Sequence, residues 1–153
     1  MRKIILPPVV LLFCVVCIIV SDIFLPGSHS LKQVWISGTL NKFGFIIIAL
    51  GVFLPVWGAI IFKQVETNLI PYKSPDKMVT KGPFAFTRNP MYLGMLLVLI
   101  GMALIYGTYG ALLFPALYFA VANWWFIPFE EGKMAAVFGD AFTDYKNKVR
   151  RWI

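Results

Sequence analysis

The sequence predicts an all-α integral membrane protein with four transmembrane helices and both chain ends cytoplasmic. Three observations carry this. Of 153 residues, 59% are hydrophobic and 14% charged, whereas soluble domains are about half apolar and about a quarter charged. Four runs, Ile4–Val20, Phe43–Phe62, Met91–Tyr106 and Tyr109–Phe129, contain no Lys, Arg, Asp or Glu. Each approaches or meets the roughly 17–25 apolar residues that cross a bilayer as a helix. The basic residues also segregate. With a cytoplasmic N-terminus, twelve of the 14 Lys and Arg residues fall on one side, leaving only Lys32 and Lys42 on the other. That asymmetry is the positive-inside rule. The net charge of +7 therefore reads as a topology signal and not as a nucleic-acid surface.

The first span covers about residues 4–24. Arg2 and Lys3 before an apolar run resemble a signal peptide, but no small-residue cleavage site follows, so a retained span is expected. Pro7 and Pro8 stand in its first turn, where a missing N–H costs least. Cys14 and Cys17 share one helical face and read as buried free thiols. Residues 21–42 make a short excursion to the far side, with turns at Pro26, Gly27 and Ser28.

Span two, 43–62, carries Pro55 as a kink. A cytoplasmic loop, 63–89, is the longest polar segment. Spans three (90–106) and four (109–129) are separated only by Gly107 and Thr108, which predicts an antiparallel hairpin. Gly94 and Gly101, seven apart on one face, would let the two helices of that hairpin approach closely. In the segment 130–153, Phe138, Phe142, Tyr145 and Val149 recur at helical spacing, predicting an amphipathic helix at the cytoplasmic interface. The chain reads as one membrane domain, 1–153, without repeats. His29 is its single histidine, so a protein-ligated zinc site is not expected.

The mouth of the hairpin concentrates the polar chemistry. Asn89 followed by Pro90 is a helix start, with Asn as cap and Pro at the first helical position. The plain reading is that Arg88 anchors at the headgroups and Tyr92 joins an aromatic belt. Glu130 and Glu131, just past span four, come back beside that corner. A helix N-terminus with an arginine attracts an anion, and paired carboxylates attract a cation. Together they suit a zwitterionic ligand such as an amino acid group.

Four stretches carry a resemblance: GPF at Gly82–Phe84, RNPMYLG at Arg88–Gly94, the Glu130–Glu131 pair, and FGDAFTDYKNKV at Phe138–Val149. In order and spacing, over roughly residues 76–151, the chain resembles the integral-membrane methyltransferases grouped around isoprenylcysteine carboxyl methyltransferase and the phospholipid methyltransferases. The resemblance implies S-adenosyl-L-methionine as methyl donor. It also implies a cofactor pocket formed by Met78, Val79, Phe84, Asn89, Pro90, Met91 and Tyr92, with Glu130 and Glu131 at the donor's amino end. Arg88 is expected to bind the cofactor's own carboxylate and is a candidate for positioning, with an acceptor carboxylate as the alternative partner. A lipophilic or prenylated acceptor would enter from the bilayer, with the active site facing the cytoplasm of a bacterial inner membrane or of endoplasmic reticulum.

The chain departs from each branch. The carboxyl methyltransferases usually place an Arg one turn before the Glu pair, where this chain has Phe126, beside Trp124, Trp125 and Phe129. Trp125 and Phe126 are candidates for an acceptor pocket, against the alternative of an interfacial belt. NPMY lies closer to the phospholipid N-methyltransferases and the Phe-Gly segment closer to the carboxyl branch. The expected acceptor is a carboxylate of isoprenylcysteine type, with a phospholipid amine or a thiol as alternatives. A reading from another class is a non-catalytic four-span assembly or regulatory protein that retains the pocket. No ionisable residue lies within the four runs, which argues against a transporter.

Overall fold

The computed structural model describes residues 6–24, 39–65 and 77–153. The expected turn at Pro26–Ser28, the start of span one before residue 6 and the loop stretch 66–76 lie outside them. Every element among the described residues is helical. In chain order these are α1 (Pro7–Phe24), α2 (Thr39–Gln64), a single 3₁₀ turn (Gly82–Ala85), α3 (Pro90–Tyr106), α4 (Tyr109–Val121), α5 (Ile127–Phe138) and α6 (Asp140–Lys148). A wider turn, Ala122–Phe126, joins α4 to α5 without a break. Among the described residues, three helices are long and apolar enough to cross a membrane: Pro7–Phe24, Lys42–Gln64 and the continuous Tyr109–Phe138. The apolar α3 is shorter, at 17 residues.

The central helix is α3, with α2 on one side and α1 and α4 on the other. The α2 contact is built on glycine. A Cβ at Gly51 would lie 2.8 Å from the Gly94 carbonyl oxygen, and one at Gly44 would lie 2.9 Å from the Gly101 carbonyl oxygen. No side chain fits there, so the two backbones touch. In lipid, where apolar burial itself gives little drive, such small-residue seams supply the close packing. Pro55, inside α2, lays its ring against Gly94. The expectation that Gly94 and Gly101 close the α3–α4 hairpin is thus corrected. They face α2, because the face they mark turns away from the tight connection.

That connection forms as its sequence demands. Gly107 adopts φ +62° and its N–H closes on the Ala103 carbonyl, while the Thr108 hydroxyl accepts from the Ala111 N–H at 3.3 Å. Left-handed backbone suits glycine, and threonine is a good cap. Across α3 the core gathers Cys14, Ile18, Leu99, Ala103, Ala111, Tyr118 and Ile127. Leu12 and Phe13 on α1 and Phe45 and Phe53 on α2 are exposed, as lipid-facing side chains should be.

Two further expectations change. The helix does not stop at Phe129 but carries the Glu pair through to Phe138. Helical spacing from Phe138 to Val149 predicted one amphipathic helix. Instead Gly139, at φ +51°, separates α5 from α6, and Val149 is extended. The apolar face of α6 is also not spent on the interface, since Phe142 and Tyr145 are buried.

Candidate functional site

A cavity of about 330 Å³ opens where the start of α3 meets α5 and α6. Its walls include Leu6, Phe62, Val79, Phe84, Met95 and Met134, and its polar groups include Arg88, Asn89, Glu130 and Glu131. The walls are assembled by specific local contacts. Phe84 is held in the 3₁₀ turn by the Tyr145 hydroxyl, which donates to the Phe84 carbonyl at 2.7 Å. Its ring stands edge-on to Phe62, with centroids 5.2 Å apart. Burial pushes the Tyr145 hydroxyl up to about 12, against the opposing pull of the Arg88 charge.

The α3 corner is not capped as the sequence suggested. The Asn89 side chain makes no cap; its Nδ2 donates to the Arg151 carbonyl, 3.0 Å away. The neighbouring groups follow it. Thr87 Oγ1 donates to the same carbonyl at 3.1 Å, and the Arg88 N–H donates to the Arg150 carbonyl at 2.9 Å. Segment 149–152 therefore lies along residues 87–89, and Asn89 contributes more by fixing this long-range contact than by a local cap.

The two glutamates have separate surroundings. Glu130 accepts a 2.7 Å hydrogen bond from the Tyr92 hydroxyl. Glu131 is held by two guanidinium groups: Arg88 Nη2 at 2.9 Å from Oε1 and Arg151 Nη2 at 2.7 Å from Oε2. Two such partners favour the ionised carboxylate. Arg88 also donates through Nη1 to the carbonyls of Lys146 and Val149. One nitrogen of that guanidinium is left over: Nε is buried and has no hydrogen-bond partner among the described residues. A buried unpaired donor is costly, by about 1–3 kcal/mol, and more for a charged group. Here it belongs to a side chain that lines the cavity.

The wide turn Ala122–Phe126 sets the facing of this end. Pro128 has no N–H to reach back to Trp124, and the Ile127 N–H closes on the Ala122 carbonyl, five residues back, rather than on Asn123. The turn leaves Asn123 accepting from Arg151 Nη1, through both its backbone carbonyl and Oδ1 at 3.3 Å each, and from Trp152 Nε1 at 3.1 Å.

Of the residues singled out from sequence, Val79, Phe84, Arg88, Asn89, Pro90, Met91, Tyr92, Glu130 and Glu131 line the one cavity. Met78 borders a separate shallow groove with Ala85 and Asp144. Trp125, 65% exposed, and Trp124 project outward. Phe126 is buried and stacks on Tyr92, with centroids 6.2 Å apart. It backs Tyr92 and is not among the residues lining the cavity. Sequence reasoning missed Met95, Met134, Phe142 and Tyr145 as lining residues, together with Arg151 and Asn123 behind the site. Only the Phe142–Tyr145 spacing carried a signal.

A set of acceptors and donors in a mostly apolar chamber suits an amphipathic zwitterion. Glu130 can take a cation and Arg88 an anion, with mostly apolar walls beside them for a less polar body. Residues 40–141 match the phospholipid methyltransferase family. The chain is 33% identical over 135 residues to protein-S-isoprenylcysteine O-methyltransferase B of Arabidopsis thaliana, an alignment covering 83% of this chain and 62% of that protein. It thus spans about three-fifths of that relative's length. Over 63 residues it is 40% identical to an uncharacterized protein of Haemophilus influenzae, covering 41% of this chain and all of the other. The family match takes in two-thirds of the chain, including the α3 corner and the Glu pair, and the chain belongs to the phospholipid methyltransferase family of membrane methyltransferases.

Proposed function

We propose that the chain is an S-adenosylmethionine-dependent methyltransferase acting on a lipophilic acceptor, most simply a carboxylate of isoprenylcysteine type. The observation that supports it is the cavity, where Glu130 and Arg88 stand with Lys77, Asn89, Glu131 and Lys133 among mostly apolar walls. Glu130 is the residue for the donor's ammonium and Arg88 for its carboxylate, while Phe84, Tyr92 and Met95 border the less polar body. The donor, when bound, supplies a methyl group activated by a sulfonium. The protein's own work is to hold that methyl in line with the acceptor and keep water away, effects worth roughly 7–11 kcal/mol when alignment is complete.

The same reading takes the chain as a single membrane domain with four spans, both ends and the site on the cytoplasmic side. Its basis is the charge asymmetry and the short α3, which completes the count. The acceptor would come laterally from the bilayer, since Leu6, Pro7 and Phe62 border the cavity with apolar groups.

A phospholipid amine is the second acceptor, favoured by the family match and by Phe126 standing where an acceptor-binding Arg would be. The test is transfer of radiolabelled methyl from S-adenosylmethionine into membrane extract by the purified protein, followed by base treatment. Release of volatile methanol identifies a carboxyl ester, and base-stable label identifies an amine or thioether. Titration with S-adenosylhomocysteine should give a micromolar dissociation constant. Well-folded protein that neither binds it nor transfers label would instead be a non-catalytic relative.

A further inference from the structure

Arg151 lies outside the cavity lining, yet its side chain joins two elements behind it. Nε and Nη2 reach the two oxygens of Glu131, at 3.3 and 2.7 Å, while Nη1 is held by Asn123. The arginine therefore spans from the wide turn to the Glu pair. Glu131, gripped this way, presents Oε1 to Arg88 Nη2. The carbonyls of Lys146 and Val149 fix Arg88 Nη1. Every nitrogen of the Arg88 guanidinium but Nε is thus tied down, and this last one is buried and unsatisfied. The Arg88 side chain is 10% exposed. It has little freedom of its own, and its aim is set by Glu131 together with those two carbonyls.

We propose that Arg151 is a positioning residue for recognition of the ligand's carboxylate: it orients Glu131, which helps orient Arg88, whose guanidinium borders the cavity and takes the carboxylate. The proposal rests on the S-adenosylmethionine reading above. It also divides the two glutamates. Glu130 meets the ligand's cation, whereas Glu131 is occupied with arginines and acts on the anion at one remove. A planar fork is required at residue 151, because only a guanidinium reaches both carboxylate oxygens and Asn123 together. Substituting the side chain leaves intact the Arg151 carbonyl that accepts from Thr87 and Asn89, so segment 149–152 should keep its course.

The experiment compares calorimetric binding of S-adenosylhomocysteine with that of its decarboxylated analogue, which keeps the amine and the nucleoside. Wild-type protein should bind the first more tightly. Arg151→Gln should weaken S-adenosylhomocysteine by about tenfold, within the range of coupling through one hydrogen-bond network. It should change the analogue by less than about twofold. Arg151→Lys, which keeps the charge and loses the fork, should show the same selectivity with a smaller loss, and it carries the test if the Gln variant fails to fold. An equal loss for both ligands, or none for either, overturns the proposal. So does wild-type protein that binds the two alike. Wild-type protein that binds neither overturns the cofactor reading itself and this inference with it.

Discussion

The α2–α3 seam and the polar end of the α3 corner lie along one helix and are held by opposite means. At the seam, Gly44, Gly51, Gly94 and Gly101 bring backbone close to backbone, with Ile48, Pro55, Val98 and Ile105 packed against the glycines. At the corner, Thr87, Arg88, Asn89 and Tyr92 reach segment 146–151 and the Glu pair through side-chain hydrogen bonds and ion pairs. The seam tolerates no added atom and has no charge to tune. The corner is charged, and its Arg88 retains an unsatisfied donor. One region sets where α3 stands, and the other sets what its end can bind.

The seam should break hardest. Gly94→Val places a branched side chain where even a Cβ meets Pro55 and the Gly51 carbonyl. Overpacking typically costs about 1–3 kcal/mol. A backbone-on-backbone contact cannot yield, so the loss should reach or exceed the top of that range. Thermal unfolding in detergent should show the variant melting far below wild type or failing to purify as a single species. If Gly94→Val melts normally, the close contact of α2 and α3 is wrong.

Next comes Glu131→Ala, which strips both arginines of their shared partner. Removing one member of a buried pair costs about 3–5 kcal/mol. Arg151 is 31% exposed and water can repay part of that, so about 2–3 kcal/mol is expected. Glu130→Gln should behave differently. Its amide oxygen can still accept from Tyr92, so melting should change by less than about 1 kcal/mol. S-adenosylhomocysteine binding should nevertheless fall at least tenfold. Equal melting losses in the two variants would erase the division of labour between adjacent glutamates.

These regions also differ in how far the sequence discloses them. Gly107 and Thr108 between two apolar runs specify a hairpin, because so short a link leaves no other arrangement. Gly94 and Gly101 specify a close approach but not the partner; helical periodicity marks a face, and only packing decides what meets it. The RNP corner and the Glu pair read as one polar mouth, and the cavity contains both. What stayed hidden was long-range and polar. Asn89 looks like a cap until a carbonyl 62 residues away offers its amide a better partner. Arg150 and Arg151 look like topology charges until one of them meets Glu131. The wide turn at Ala122–Phe126 had a local signal in Pro128, but its effect on the direction of Asn123 depends on three-dimensional neighbours.

The mildest prediction concerns Tyr145, whose hydroxyl fastens the Phe84 turn. A free tyrosine ionises near 10, whereas this buried one is pushed up to about 12. Between those values the unfolded chain has lost a proton that the folded chain keeps. By linkage, the folded state then becomes less stable as pH rises. The contribution is whole below about pH 10 and is lost progressively as pH climbs through about 12. Tyrosinate absorbance should accordingly show a component titrating near 12 that disappears in Tyr145→Phe, and that variant should lose the matching part of the alkaline destabilisation. Near neutral pH it should cost only about 1 kcal/mol, the value of one hydrogen bond. The Phe84 wall would loosen while the glycine seam stays in place. A Tyr145→Phe variant with an unchanged alkaline titration would mean that the hydroxyl is solvated and that Phe84 is fixed by its ring contact with Phe62 alone.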